Sequence, residues 1–214
     1  MQELREAVWD QLPDDLKPEH FAERSLLLLG AFAELPRRLD SADEPTVLDA
    51  GCGDGRFAEL LVDAGARVIA VDAAQGALAR ARGRVPDALL LQWLDGAPLD
   101  VRSDMVDLVW AGETLEHVGD GEAWLGELSR VLRPGGRLLL TTPNHTRLRV
   151  LGLSMRRRSF EEHFSPLTDH LRFFTSDTLR ELLGRAGFTE IEIEPRFGPR
   201  WMRATLVARA VKPR

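Results

Sequence analysis

Three carboxylates stand where a short apolar run stops: Asp49 in Thr46-Val47-Leu48-Asp49-Ala50, Asp72 after Arg67-Val68-Ile69-Ala70-Val71, and Asp95 after Leu89-Leu90-Leu91-Gln92-Trp93-Leu94. Runs of this length read as buried strands. A carboxylate at a strand's carboxyl end can accept hydrogen bonds from a ligand's hydroxyl or amino groups. Between the first two acids lies Gly51-Cys52-Gly53-Asp54-Gly55, with glycine at alternate positions, followed by a helical pattern that puts Phe57, Leu60 and Leu61 on one face. A strand, a glycine loop and a helix together offer a ligand bare backbone and a helix N-terminus. The dinucleotide fingerprint requires G-x-G-x-x-G, and Arg56 stands where its third glycine belongs, which disfavours a pyrophosphate ligand. Asp72 follows Gly53 by 19 residues, a place from which an acid can accept both ribose hydroxyls of an adenosine ligand.

A second group of reactive side chains comes later. Glu113, Glu116 and His117 form an E-x-x-E-H array after the apolar run Met105-Val106-Asp107-Leu108-Val109-Trp110, and His145, His163 and His170 follow. Imidazoles near carboxylates suit general base work on an acceptor hydroxyl, although a lone histidine is more often structural. Arg147 and Arg149 could grip a phosphate or carboxylate. Arg156-Arg157-Arg158 fits a solvated surface loop better, because three consecutive arginines cannot all face one ligand. Cys52 is read as the small residue a glycine loop tolerates rather than as a nucleophile.

The elements that must position these groups alternate. Strands end at Asp49, Asp72 and Asp95, and a helix runs over Ala74–Arg84. Trp124, Leu125, Leu128, Val131 and Leu132 share one helical face that stops at Pro134-Gly135-Gly136. Repeated strand–helix units imply a parallel sheet with right-handed crossovers, and such sheets bind ligands beyond the carboxyl ends of their strands. From Asn144 to Phe174 the alternation breaks, and so long a connection in a compact domain is usually functional. Ser176 is expected to cap a helix with Leu179, Leu182, Leu183 and Ala186 on its apolar face and Gly187 at its end. Two strands without an intervening helix, Phe188–Glu194 and Arg203–Val211, suggest an antiparallel end to the sheet.

Bulk properties bound the partners. The chain has 214 residues, 44% of them hydrophobic, enough for one domain with a sizeable core. A net charge of −6 makes nucleic acid a poor partner. Between Pro143 and Thr175, however, six arginines face three acids. One cysteine excludes an internal disulfide framework, and no run reaches the ~18 apolar residues of a membrane span. A cytoplasmic protein of unspecified oligomeric state is expected.

In order, the Asp49 glycine loop, the Asp72 strand, the Asp95 strand, the Met105–Trp110 strand with its loop, and Leu132-Arg133-Pro134-Gly135-Gly136 resemble the signatures of class I S-adenosylmethionine-dependent methyltransferases, including the ubiquinone-pathway O-methyltransferase-like group. The resemblance spans Thr46 to Pro143. It implies an α/β, Rossmann-like doubly wound sheet of seven strands, mostly parallel with one antiparallel strand and helices on both faces. It also implies a single methyltransferase domain over 1–214: a helical cap at 1–45, a cofactor core at 46–142, an acceptor-side insert or lid at 143–175, and a terminal helix and strands at 176–214. S-adenosyl-L-methionine would then be held by Asp49, Gly51, Cys52, Gly53, Asp72, Ala73, Asp95, Gly96, Ala111 and Gly112. Methyl transfer to a small-molecule acceptor, an anionic one included, is expected at a hydroxyl, with His117, Glu116 and His170 in the catalytic set. The E-x-x-E-H array with a later histidine also resembles the metal-binding set of small-RNA 3′-terminal 2′-O-methyltransferases, which would make Glu113, Glu116, His117 and His170 ligands of Mg2+, Mn2+ or Zn2+. Two other readings stand beside this one: such an RNA methyltransferase, and a non-catalytic S-adenosylmethionine-binding protein.

Overall fold

The computed structural model describes residues 6, 9, 13, 17–36, 44–155, 161, 170–199 and 203–214. The sequence readings placed on Arg156-Arg157-Arg158 and His163 lie outside these residues. Seven strands form one sheet in the order β3-β2-β1-β4-β5-β7-β6. They are β1 (Thr46–Ala50), β2 (Arg67–Asp72), β3 (Leu89–Gln92), β4 (Val106–Gly112), β5 (Leu132–Pro143), β6 (Thr189–Arg196) and β7 (Thr205–Val211). The first five pair in parallel, and β7 runs antiparallel to both neighbours, β5 and β6. Helix α1 (Phe21–Ala33) precedes the sheet. Helices α2 (Arg56–Asp63), α3 (Gln75–Arg84), α4 (Gly121–Val131), α5 (Arg147–Ser154) and α6 (Ser176–Arg185) join or follow the strands.

Period-two burial divides the central strands between two cores. Leu48, Val71, Val109, Ala111, Leu138 and Leu140 pack with Trp124, Leu125 and Leu128 of α4 and with Leu179 and Leu183 of α6. Their neighbours Val47, Val68, Leu108, Trp110 and Leu139 face the other way, onto Leu28 of α1, Phe57 and Leu61 of α2 and Leu78 of α3. Burying each Leu or Val side chain this completely is worth roughly 1.5–3 kcal/mol, so both faces must be covered. The helices therefore lie on both faces of a doubly wound sheet.

Several elements differ from the sequence reading. Strand β3 stops at Gln92 rather than Asp95, because Trp93 turns inward and its Nε1–H donates to the Ala97 carbonyl at 2.9 Å. Ser176 is the first helical residue of α6, and the cap is Thr175, whose extended backbone lets its hydroxyl accept from the Thr178 N–H in a reciprocal capping box. The long connection after β5 contains α5. At the amino ends of the strands, Asp107 accepts from the Thr46 N–H at 2.8 Å and pairs with Arg133 at 2.8 Å, tying β1, β4 and the entry to β5. Among the described residues no helix is long and apolar enough to cross a membrane.

Candidate active site

The carboxyl ends of β1 and β4 lie side by side. The chain leaving β1 enters α2 on one face of the sheet, and the chain leaving β4 leads to α4 on the other. This is the switch point at which doubly wound sheets bind ligands. Gly51, Gly53 and Gly55 all take positive φ (86°, 54° and 83°), a conformation cheap only for glycine. The Gly51 and Cys52 N–H groups donate to the Val71 carbonyl, and a Cβ on Gly51 would run into the Thr114 side chain, which itself donates to the Ala50 carbonyl. The turn is thereby locked between β2 and the β4 loop.

Asp72 is fixed at the end of β2 by the Gly53 N–H at 3.0 Å and the Ala74 N–H at 2.9 Å. Asp95 accepts from the Gly119 N–H at 3.2 Å. Gly51, Gly53, Asp72, Ala73 and Asp95 line a cavity of about 220 Å³, together with Trp93 and Trp124, whose rings stack at 5.4 Å. Adjoining it is a second cavity of about 470 Å³ lined by Gly51, Cys52, Gly53, Gly112, Glu113, Glu116, His117 and His170, with Arg24 and Arg149 at its wall. The two share Trp9, Gly51, Gly53, Glu113 and His117. Of the residues read as cofactor-binding, Asp49, Gly96 and Ala111 line neither cavity.

Asp49 instead lies beneath the glycine loop. It is 1% exposed, and both carboxylate oxygens are buried without a hydrogen-bond partner among the described residues. Burial, reinforced by the negative charge of Asp72, pushes its pKa up to about 7. Within the chain, the Arg24 charge and the Ala58 backbone N–H act in the opposite direction. Burial likewise raises the Cys52 thiol well above its ordinary range, in keeping with a packing role.

The chain after β4 carries the other reactive groups. Glu113 is held at φ 54°, a left-handed conformation that a non-glycine residue adopts only where its surroundings impose it. A short 3₁₀ turn, Leu115–His117, buries Glu116, whose Oε2 accepts from the Thr142 hydroxyl at 2.9 Å. Burial first, and the neighbouring Glu113 second, raise the Glu116 pKa to about 8. Burial raises Glu113 as well. Oε1 of each glutamate is buried without a partner among the described residues.

The fold brings His170 to this turn from 53 residues away by a backbone zipper. The Leu171 and Arg172 N–H groups donate to the Glu116 carbonyl, Arg172 Nε donates to Val118 O at 2.9 Å, and Arg172 Nη2 donates to Gly119 O. The His117 and His170 rings meet edge to face at 4.8 Å. One donor atom from each of Glu116, His117 and His170 lies within 4.8 Å of the others, and Glu113 is not part of that set. His145 is turned away, its ring against Phe173. Arg149 reaches the second cavity with Nη1 on the Ala204 carbonyl at 2.8 Å, whereas Arg147 is exposed and lines neither cavity.

Arg24 was not singled out in the sequence, yet it is among the most buried cations of the described chain, at 3% exposure. Its guanidinium lies 5.1 Å from the Phe57 ring centroid and 5.6 Å from that of Trp110. Burial lowers its pKa against the attraction of Glu113, Glu116 and Asp49, but arginine stays charged. The signal was present: Arg24 interrupts the apolar stripe of Phe21, Leu28, Ala31 and Leu35. Trp9, which sits over Gly53, left no comparable signal in the sequence.

Comparison with known proteins places this geometry. Residues 8–193 match the family model described as a methyltransferase domain. A probable S-adenosylmethionine-dependent methyltransferase of Mycolicibacterium smegmatis is 34% identical over 71% of this chain and 54% of its own length. A ubiquinone biosynthesis O-methyltransferase of Dinoroseobacter shibae is 32% identical over 68% of this chain and 60% of its own. The chain thus spans little more than half the length of these relatives. Among solved structures, a Haemonchus contortus phosphoethanolamine N-methyltransferase in complex with S-adenosyl-L-methionine superimposes with a TM-score of 0.68 at 20% identity, covering 90% of this chain and 53% of that one, a likeness of fold. With the glycine loop, the acids at the strand ends and the sheet order, the family match is decisive: the chain belongs to the class I S-adenosylmethionine-dependent methyltransferases.

Proposed function

We propose that this chain transfers the methyl group of S-adenosylmethionine to the oxygen of a small-molecule acceptor. The cofactor occupies the first cavity and the acceptor the second. The observation that carries this reading is that two adjoining cavities share the Gly51–Gly53 loop, Glu113 and His117. Bound cofactor supplies a methyl already activated by its sulfonium, so the protein's work is alignment, exclusion of water and management of one proton. Asp72 and Asp95 orient the adenosine end, and Asp49 offers its charge to the amino-acid end. Arg24 and Arg149 give the second cavity two cations for an anionic group on the acceptor. His117, at the junction, takes the proton of the acceptor hydroxyl, and the segment carrying His170 and Arg149 acts as the acceptor-side lid.

One observation favours a metal-assisted version of this chemistry. The Glu116, His117 and His170 cluster, with Oε1 of Glu116 buried and without a hydrogen-bond partner among the described residues, has the donor set of a divalent ion. Two imidazoles with a carboxylate suit Zn2+ or Mn2+ better than Mg2+. Such an ion would lower the pKa of the acceptor hydroxyl. The test is transfer to an acceptor panel before and after chelation, with bound metal measured directly in the wild type and in His170→Ala. The metal version requires that chelation and His170→Ala both abolish transfer and metal uptake while leaving S-adenosylhomocysteine affinity intact. Full activity in metal-free protein would leave His117 as a simple base. No transfer under any condition, despite cofactor binding, would overturn catalysis itself.

A further inference from the structure

Glu6 and Trp9, three residues apart and far from the sheet in sequence, close on the glycine loop from outside. Glu6 Oε1 accepts from the Gln75 N–H at 2.7 Å and Oε2 from the Gly76 N–H at 3.0 Å. These are the first two residues of α3, whose orphan N–H groups and positive dipole end favour a carboxylate. The contact lies just beyond Asp72, whose carboxylate is held by the preceding Ala74 N–H. Trp9 rests on Gly53: a Cβ built there would come within 2.8 Å of the indole Cη2, and φ at Gly53 is 54°. The Arg80 guanidinium of α3 also stands over the indole, 5.9 Å from the ring centroid. Trp9 is also one of the residues lining both cavities.

This changes the reason for glycine at position 53. The bare backbone there is covered by an indole from the same chain, so the loop is built to receive Trp9 as well as a ligand. The first cavity, at about 220 Å³, is smaller than the ~300–1,000 Å³ usual for small-molecule sites. Among the described residues Trp9 is the one wall residue of the first cavity that precedes the sheet in the chain, and its neighbour Glu6 holds α3 through a partly exposed latch. The latch is a local contact of one exposed and one half-buried amide with a single carboxylate, outside both cores, so it can open without unfolding anything else.

We infer that Glu6 and Trp9 form a strap over the cofactor site. Trp9 is a positioning residue that covers the junction between the two cavities, Glu6 is its latch on α3, and product S-adenosylhomocysteine leaves only when the latch opens. The inference rests on the cofactor assignment made above. With the strap closed, the indole excludes water from the place where the methyl passes, and opening enlarges the first cavity.

The experiment follows S-adenosylhomocysteine dissociation by stopped flow in the wild type, Trp9→Ala, Trp9→Phe and Glu6→Ala, with melting temperatures and exchange of the Gln75 and Gly76 amides measured alongside. Trp9→Ala is expected to raise the dissociation rate at least tenfold and Trp9→Phe to restore most of the difference. Glu6→Ala should raise it several-fold and expose the two amides to exchange. Melting temperatures should hold, because neither side chain belongs to either core. Unchanged dissociation rates in Trp9→Ala and Glu6→Ala overturn the strap. So does tighter binding in Trp9→Ala, which would make the indole an obstacle rather than a cover. If the wild type itself bound no S-adenosylhomocysteine, the functional assignment would fall first and the strap with it. Normal wild-type binding with unaffected variants removes the strap alone.

Discussion

Asp49 supplies a quantitative test of the cofactor site. Its pKa of about 7, against an ordinary 3.8, means that the empty protein holds a proton there through most of the acidic range. A ligand carrying an ammonium group beside Asp49 favours the ionised form and must expel that proton. If only the ionised form binds, affinity follows the ionised fraction, roughly 0.9 at pH 8 and 0.01 at pH 5, a fall of about 90-fold or ~2.7 kcal/mol. Titration calorimetry of S-adenosylhomocysteine at pH 6 in buffers of different ionisation enthalpy should report release of nearly one proton. Asp49→Asn removes the titrating group, so its affinity should be low and flat between pH 5 and 8. Folding has the matching sign. The folded protein binds a proton that the unfolded chain has lost, so stability falls as pH rises from about 4 to about 7, by at most ~4 kcal/mol. Asp49→Asn should accordingly melt higher than wild type at pH 8 and level with it near pH 4. Wild-type affinity that is independent of pH across this window would refute the reasoning. A pH slope that survives in Asp49→Asn would also refute it, by pointing to another group such as Glu116, raised to about 8 in the adjoining cavity.

Three further outcomes follow from particular contacts. Gly51 and Gly65 both sit near φ 87°, but a Cβ meets Thr114 at Gly51 and open space at Gly65. Urea unfolding should therefore show Gly65→Ala losing ~1–2 kcal/mol and Gly51→Ala ~2–4 kcal/mol, and equal losses would contradict the clash. Asp107→Ala, which strands Arg133 and the Thr46 N–H at the amino end of the sheet, should cost about 3 kcal/mol of stability and leave S-adenosylhomocysteine affinity alone; a loss of affinity would mean that the two ends of the sheet are coupled. Arg24→Met should lower the melting temperature, since it removes the cation facing the buried Asp49, Glu113 and Glu116 and the donor on the Glu19 carbonyl, while raising the KM of an anionic acceptor ~10-fold; an unchanged KM would return Arg24 to a packing role.

Much of this protein was legible because its signals are local. Alternation of buried strands and amphipathic helices set the parallel core, and the glycines marked the turn after β1 that walls both cavities, because positive φ is a property of adjacent residues. The antiparallel end of the sheet was readable from two strands with no helix between them. The structure moved boundaries where a single side chain decided, as when Trp93 turned inward and ended β3, or when Thr175 capped α6 in place of Ser176. What the sequence could not supply were the encounters between distant segments. His170 reaches His117 only because the Leu171 and Arg172 amides hang on the Glu116 carbonyl. Arg24 looks like a fault in an apolar stripe until Phe57, Trp110 and the carboxylates of the β4 loop surround it. Glu6 and Trp9 acquire meaning only when α3 presents its first amides and Gly53 its bare backbone. The sequence thus determined the fold and the position of the glycine loop within it, since these depend on short-range pattern. Tertiary structure decided the proton-bearing state of Asp49 and Glu116 and the walls of the second cavity, since burial and charge proximity exist only once the chain has closed on itself.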